Sequence, residues 1–222
     1  MTDAAAPVSG AGFFESTRAD LAKTFVSRPP VAVQQCAPQT AEQWRATHKA
    51  DIEQAIAAQR QMLLDRKADI ARWDDKAKGD FYLAFGDDTP EQTAMISARI
   101  DRELALNSTL TVDNFSPPTT SNPNNFAYVH AADASHTIFL DQKFWDAPLS
   151  GANSKAGTLC HEMSHFNDIG ATEDSFPDYN HNDPVYGPTN SMMLATYHPA
   201  LALQHADSFE YYCEGESLFD GS

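Results

Sequence analysis

Basic residues are scarce in this chain. Fifteen Lys and Arg stand against 31 Asp and Glu, leaving a formal net charge of −16 at pH 7. Such a field repels phosphate backbones and anionic lipid surfaces and attracts cationic ligands, so nucleic acid is not expected as a partner. Cysteine is also sparse. Cys36, Cys160 and Cys213 are odd in number and allow at most one bridge, which excludes a disulfide framework and suits a reducing compartment. No apolar run approaches the roughly 20 residues needed to cross a bilayer as a helix. The opening "MTDAAAPVSGAGFFESTRADLAKTF" has neither a basic stretch nor a continuous apolar core, so a standard signal peptide is not expected, and export would need a leaderless route. Internal repeats are missing too. What remains is 222 residues, 42% hydrophobic, enough for one well-packed globular domain.

Residues 1–38 are rich in Ala, Ser, Pro and Gly and read as a flexible arm. "SRPPVAVQQ" is expected to be extended, because each proline disfavours helix in the residue before it. From Thr40 to about Lys78 the apolar residues Trp44, Ile52, Ile56, Leu63, Ile70 and Trp73 recur at helical spacing, predicting one long helix or two. Thr89 followed by Pro90 signals the N-terminus of another, with Ile96, Ile100 and Leu104 on one face. "STLTVDNF", "FAYVH" and "HTIFL" then read as strands of a small sheet. Helical patterns return at about 154–167, 189–202 and 205–214. The layout is α+β and helix-dominated. A single domain over 39–222 is expected, with a helical half to about 107 and a sheet-containing half from 108.

Chemistry concentrates in "GTLCHEMSHFNDIGATED", residues 157–174. His161 and His165 are four apart, so on a helix they share a face with roughly 5–6 Å between Cβ atoms. Two imidazoles so placed can both reach one zinc ion at about 2.0–2.1 Å. Glu162 is then positioned to accept a proton from a water at the metal. A catalytic zinc needs a third protein ligand. Gly170 is expected to end the helix in a left-handed conformation and turn the chain back. Asp168, Glu173, Asp174, Asp178, His181 and Asp183 are all candidates, with an acidic residue just beyond Gly170 favoured. The bland alternative is a chance HExxH on a solvated acidic helix. Cys160 lies about 100° around the helix from His161 and reads as a core residue rather than a fourth ligand.

"HEMSH" followed by "GATED" resembles the aspzincin metalloendopeptidases, which include deuterolysin and the fungal peptidyl-Lys metalloendopeptidases. "FAYVH", "TIFLDQKFWDAPLSGANSKAGTLCHEMSHF" and "HADSFEYY" look like family segments in the same order, so the resemblance covers roughly residues 36–214. It implies a zincin-like fold with a small antiparallel sheet and an HExxH helix. It further implies zinc held by His161, His165 and Asp174, with Glu162 as general base and a protein or peptide substrate. Ala171 stands where the family has glycine before threonine. The family's Tyr-Gly pair matches Tyr186 and Gly187, which makes Tyr186 the expected oxyanion donor. The preceding stretch is longer than usual, and Tyr179 is the competitor. Asp207 and Glu210 match acidic residues of lysine-cleaving members, implying a pocket in which carboxylates compensate a desolvated ammonium; the alternative is an ordinary solvated helix face. The bridged cysteines of secreted members are not matched, since Cys36 finds no partner in "TVDNFSPPTTSNPNNF". The expectation is therefore a bacterial effector or toxin delivered without a leader and accompanied by an immunity or inhibitor protein. A non-enzymatic binding protein that uses zinc only to hold its scaffold is the rival.

Overall fold

The computed structural model describes residues 39–176, 179 and 183–215; the proposed arm and Cys36, Asp178 and His181 lie outside them. Thr40 caps the first helix, α1 (Ala41–Arg72), and exchanges reciprocal hydrogen bonds with Gln43. Its buried residues include Trp44, Ile52, Ala55, Met62 and Leu63. The helical run breaks at Trp73, which adopts a left-handed conformation, φ 46°. Asp74 then caps a second helix, α2 (Asp75–Phe85), which extends beyond the expected limit at Lys78. It stops at Gly86, φ 76°, where a Cβ would sit 1.6 Å from the carbonyl oxygen of Ala195, so only glycine fits. As expected, Thr89 caps α3 (Pro90–Asn107) with Pro90 in its first turn.

Three short strands follow, β1 (Phe115–Ser116), β2 (Ala127–Val129) and β3 (Ile138–Leu140), in the order β1-β3-β2. The sheet is mixed rather than purely antiparallel: β3 pairs parallel with β1 and antiparallel with β2. The parallel pair is possible because the long excursion through 117–137, which includes β2, returns the chain in the same direction beside β1. A one-and-a-half-turn helix, α4 (Gln142–Asp146), connects to α5 (Lys155–His165). The C-terminal helices are α6 (Pro188–Tyr197), α7 (Pro199–Ala202) and α8 (Ala206–Glu214).

One apolar cluster joins α1, the sheet and α5 through Ile52, Phe115, Ile138, Leu159 and Phe166. A second joins α1, α2, α3, α5 and α8 through Leu63, Phe81, Ile100, Cys160 and Phe209. Cys160 is fully buried there, as expected of a core residue. The HExxH helix therefore lies between both cores, and every residue from Ala156 to Ser164 is buried.

Candidate metal centre and active site

The N-terminus of α5 is anchored by residues far away in sequence. Ser154 caps it by accepting from the Gly157 amide at 2.9 Å. Glu214, the last residue of α8, accepts from the amides of Asn153 and Ser154 at 3.1 and 2.8 Å and from the Ser154 hydroxyl at 3.0 Å. A Cβ on Gly157 would lie 2.1 Å from that carboxylate, so the missing side chain lets the two helices approach. Burial pushes the Glu214 carboxyl up to about 7.

His161 and His165 share one face of α5, with ring centroids 4.9 Å apart and planes at 83°. His165 donates from Nδ1 to the Thr172 carbonyl at 2.8 Å, which leaves its Nε2 as the lone-pair nitrogen in the neutral ring. The Nε2 atoms of His161 and His165 lie 3.2 and 3.5 Å from one oxygen, Asp174 Oδ1. That oxygen is buried and has no hydrogen-bond partner among the described residues. Two imidazole nitrogens and a carboxylate oxygen, all within 4.8 Å of one another, form a donor set that suits zinc. Burial opposes ionisation of Asp174, but its contacts with the two histidines win and hold it far below the usual carboxylate range.

Asp174 reaches the histidines through an irregular segment. The helix ends at His165, with Phe166 as its C-cap. The left-handed residue of the turn is Ala171, φ 47°, not Gly170 as expected. Gly170 is instead required by proximity: a Cβ there would fall 2.5 Å from the Ser164 carbonyl oxygen and 2.8 Å from Arg99 Nε. Beyond the turn, Glu173 donates to Gln204 O at 2.8 Å and accepts from the Ala206 amide at 3.2 Å. The Val185 amide donates to Asp174 O at 2.7 Å, and His205 Nε2 donates to Val185 O at 2.6 Å. Of the other candidate ligands, Asp168 pairs with His136 at 3.1 Å, while Glu173 and Asp183 are exposed.

The next residue is Tyr186, whose hydroxyl donates to Asp174 Oδ2 at 3.0 Å. Its competitor Tyr179 packs on the His198 ring at 4.8 Å, within a separate apolar cluster. Asp207 and Glu210, both buried, place an oxygen 3.0 and 3.1 Å from His161 Nδ1. Neither oxygen lies along the ring N–H, so these are close charge contacts rather than aligned hydrogen bonds. Asp207 uses its other oxygen to accept from the Gly187 amide at 2.6 Å. Burial alone would depress the His161 pKa, but Asp174, Asp207 and Glu210 together raise it well above its ordinary value. Burial pushes Glu162 and Glu210 upward, against the pull of His161.

These groups line a cleft of about 730 Å³, whose walls include Glu162, Asp174, Tyr186, Asp207, Glu210 and the residues of β2. The strand at "TIFL", β3, is hydrogen-bonded on both sides, and β2 is the edge beside the cleft. The sequence reading also missed the carbonyl of Thr172 and the carboxylate of Glu214. Neither has a local signal, since each acts through a contact that only folding creates.

An HExxH helix whose histidines meet an aspartate delivered by the following turn is a metallopeptidase-type metal centre. The family model described as lysine-specific metallo-endopeptidase, aspzincin, matches residues 75–214, more than half of the chain. The chain belongs to the aspzincin family, which is zinc-dependent. It is 41% identical over 93 residues to a peptidyl-Lys metalloendopeptidase of Pleurotus ostreatus, covering 42% of this chain and 45% of that protein. It is 40% identical over 89 residues to an extracellular protease of Aeromonas hydrophila, covering 40% of this chain and 23% of that protein. The matched segment thus spans less than half the length of these relatives. The fold is similar to that of a zinc peptidase from Grifola frondosa, with a TM-score of 0.63 and 26% identity over 76% of this chain and 95% of that one.

Proposed function

We propose that this chain is a zinc endopeptidase that hydrolyses peptide bonds through a water nucleophile, with a preference for lysine, and that residues 39–222 form its peptidase domain. The observation that carries the reading is the convergence of His161 Nε2 and His165 Nε2 on Asp174 Oδ1 at the floor of an open cleft. Zinc held by these three residues would supply a Lewis acid that polarises the scissile carbonyl and lowers the pKa of a water toward neutrality. The Glu162 carboxylate takes a proton from the attacking water and returns it to the departing amine. Tyr186, more than half exposed, turns its hydroxyl from Asp174 Oδ2 to donate to the carbonyl oxygen as it gains charge. The negative charge of Asp207 and Glu210 beside His161 Nδ1 favours a proton on that nitrogen, which leaves Nε2 as the ligating atom. The unpaired edge of β2 accepts an extended substrate as an added strand.

Lysine preference rests on the printed activity of the Pleurotus relative and on two buried carboxylates lining an acidic cleft. An entering ammonium needs such partners to offset its desolvation. The Aeromonas relative is named as extracellular, and export followed by action on proteins outside the producing cell is the corresponding reading for this chain. Use as a leaderless effector or toxin would add a cognate immunity protein, for which co-purification of a stoichiometric partner is the test.

The decisive experiment is mass spectrometry of peptides cut by the zinc-loaded protein. Cleavage beside lysine, abolished by a chelator and restored by zinc, is expected. Glu162→Gln should retain zinc by elemental analysis and lose about 10²- to 10⁴-fold in kcat; an unimpaired Glu162→Gln enzyme would refute the general-base assignment. A zinc-replete protein that cuts no peptide would favour the non-enzymatic scaffold reading instead.

A further inference from the structure

Arg99 occupies a site that neither the metal centre nor the cleft explains. It projects from α3 into the protein interior, 2% exposed, and its Nε and Nη1 atoms find no hydrogen-bond partner among the described residues. Glu103, one turn on, exerts the largest charge effect on it, and burial lowers the Arg99 pKa to about 10. A guanidinium in this position loses its hydration for little Coulombic return, and an apolar side chain of similar length would fill the space more favourably. Its contacts show what it does instead. Nη2 donates to the Leu203 carbonyl at 2.9 Å. The Nε edge lies against Gly170, so close that a Cβ there would be 2.8 Å away. The guanidinium carbon rests 5.1 Å from the centre of the Phe209 ring on α8.

The two backbone segments gripped by this side chain are those that flank Asp174 in space. Gly170 belongs to the exit from the HExxH helix, and Arg102 on the same face of α3 fixes the neighbouring Ile169 carbonyl at 2.5 Å. Leu203 leads directly into Gln204, which accepts from the Glu173 amide, and Ala206, which donates to the Glu173 carbonyl. Asp174 follows Glu173. A turn without regular secondary structure has no lattice of its own to set the position of a carboxylate oxygen to within a few tenths of an ångström. A planar guanidinium wedged between its two neighbours supplies that lattice through one hydrogen bond, to the Leu203 carbonyl, and through close packing against Gly170.

We propose that Arg99 is a positioning residue for the third metal ligand, holding the helix-exit loop and the 203–206 segment in the register that brings Asp174 Oδ1 to His161 and His165. The proposal rests on the metal assignment of the preceding subsection, and its test separates the two.

Arg99→Met keeps length and burial while removing the donors; Arg99→Lys keeps one donor and the charge. In metal-free protein, hydrogen exchange at the Glu173 and Ala206 amides is expected to speed up at least tenfold in Arg99→Met, with exchange in the middle of α1 unchanged. Zinc affinity, measured by competition with a chromophoric chelator, should fall about 10- to 100-fold, the range for groups that orient ligands, with Arg99→Lys between wild type and Arg99→Met. Unchanged exchange at those two amides overturns the proposal, whatever happens to zinc. Uniformly faster exchange, including α1, marks a merely structural role and overturns it as well. If Arg99→Met does not fold, Arg99→Lys decides by the same two readouts. Should wild type and Asp174→Ala bind zinc equally, the metal assignment has failed, and the exchange data still judge Arg99.

Discussion

The two halves of the proposed metal centre are built on different principles. His161 and His165 ride on α5, a regular helix with nine consecutive buried residues and a cap supplied jointly by Ser154 and Glu214. Asp174 and Tyr186 ride on a segment whose described residues include isolated bridges, at Glu173 with His205 and Ser175 with Pro184, and a left-handed alanine. On the helix, geometry between ligands is a property of the local backbone. Along the turn it is imposed from outside by Arg99, Arg102, His205 and the Gln204 carbonyl. A centre of this kind should fail in two ways: globally when the helix is disturbed, and locally when the turn is.

That contrast can be broken first from the helix side. Leu159→Ala, in the core shared by α5 and the sheet, should cost about 2–5 kcal/mol of unfolding free energy. Chemical denaturation followed by circular dichroism would measure it, and a loss below about 1 kcal/mol would mean that α5 is not the structural axis argued for here.

A smaller effect is expected where α8 caps α5. The Glu214 carboxyl has a folded pKa of about 7, above its ordinary value. The folded state therefore holds this proton more tightly than the unfolded state does. The resulting stabilisation is complete below about pH 4.5 and is lost as pH rises through 7. Between pH 5 and 8 the protein should lose about 2 kcal/mol that Glu214→Gln does not lose, after discounting for partial solvent access. Parallel pH dependence of thermal midpoints in the two proteins would remove this account of the cap.

The turn side yields the smallest change, and in the opposite direction. Ala171 at φ 47° carries left-handed strain that glycine does not, partly offset by the extra freedom of glycine in the unfolded chain. Ala171→Gly should therefore stabilise by about 0.5–1 kcal/mol. Calorimetry would detect it, and destabilisation would show that the alanine methyl makes a contact worth more than the strain.

Much of this architecture was readable before folding. The cap at Thr89, Pro90 in a first turn, the buried stripe of α1 and the face shared by His161 and His165 all follow from interactions within a few residues. The break at Trp73 was not readable, because an aromatic residue in a left-handed conformation carries no composition signal. Nor was the real duty of Gly170. Its spacing suggested a helix terminator, whereas it is the approach of Arg99 and the Ser164 carbonyl that leaves no room for a side chain. The strand pairing escaped for a similar reason: alternation marks a strand but does not say which neighbour it takes, so the central position of β3 emerged only with the sheet.

By itself, the order of residues determined that two imidazoles would share a helix face, since a 3.6-residue period needs no tertiary contact to express it. The resemblance to a known family ranked Asp174 and Tyr186 above their rivals. Only the tertiary structure decided that Asp174 Oδ1 meets both rings, that Tyr186 rather than Tyr179 stands over it, and that Asp207 and Glu210 close on the far side of His161. Irregular chain has no period from which to extrapolate direction. Its course is set in part by hydrogen bonds between residues 20 and even 104 positions apart, and those exist only once the helices have packed.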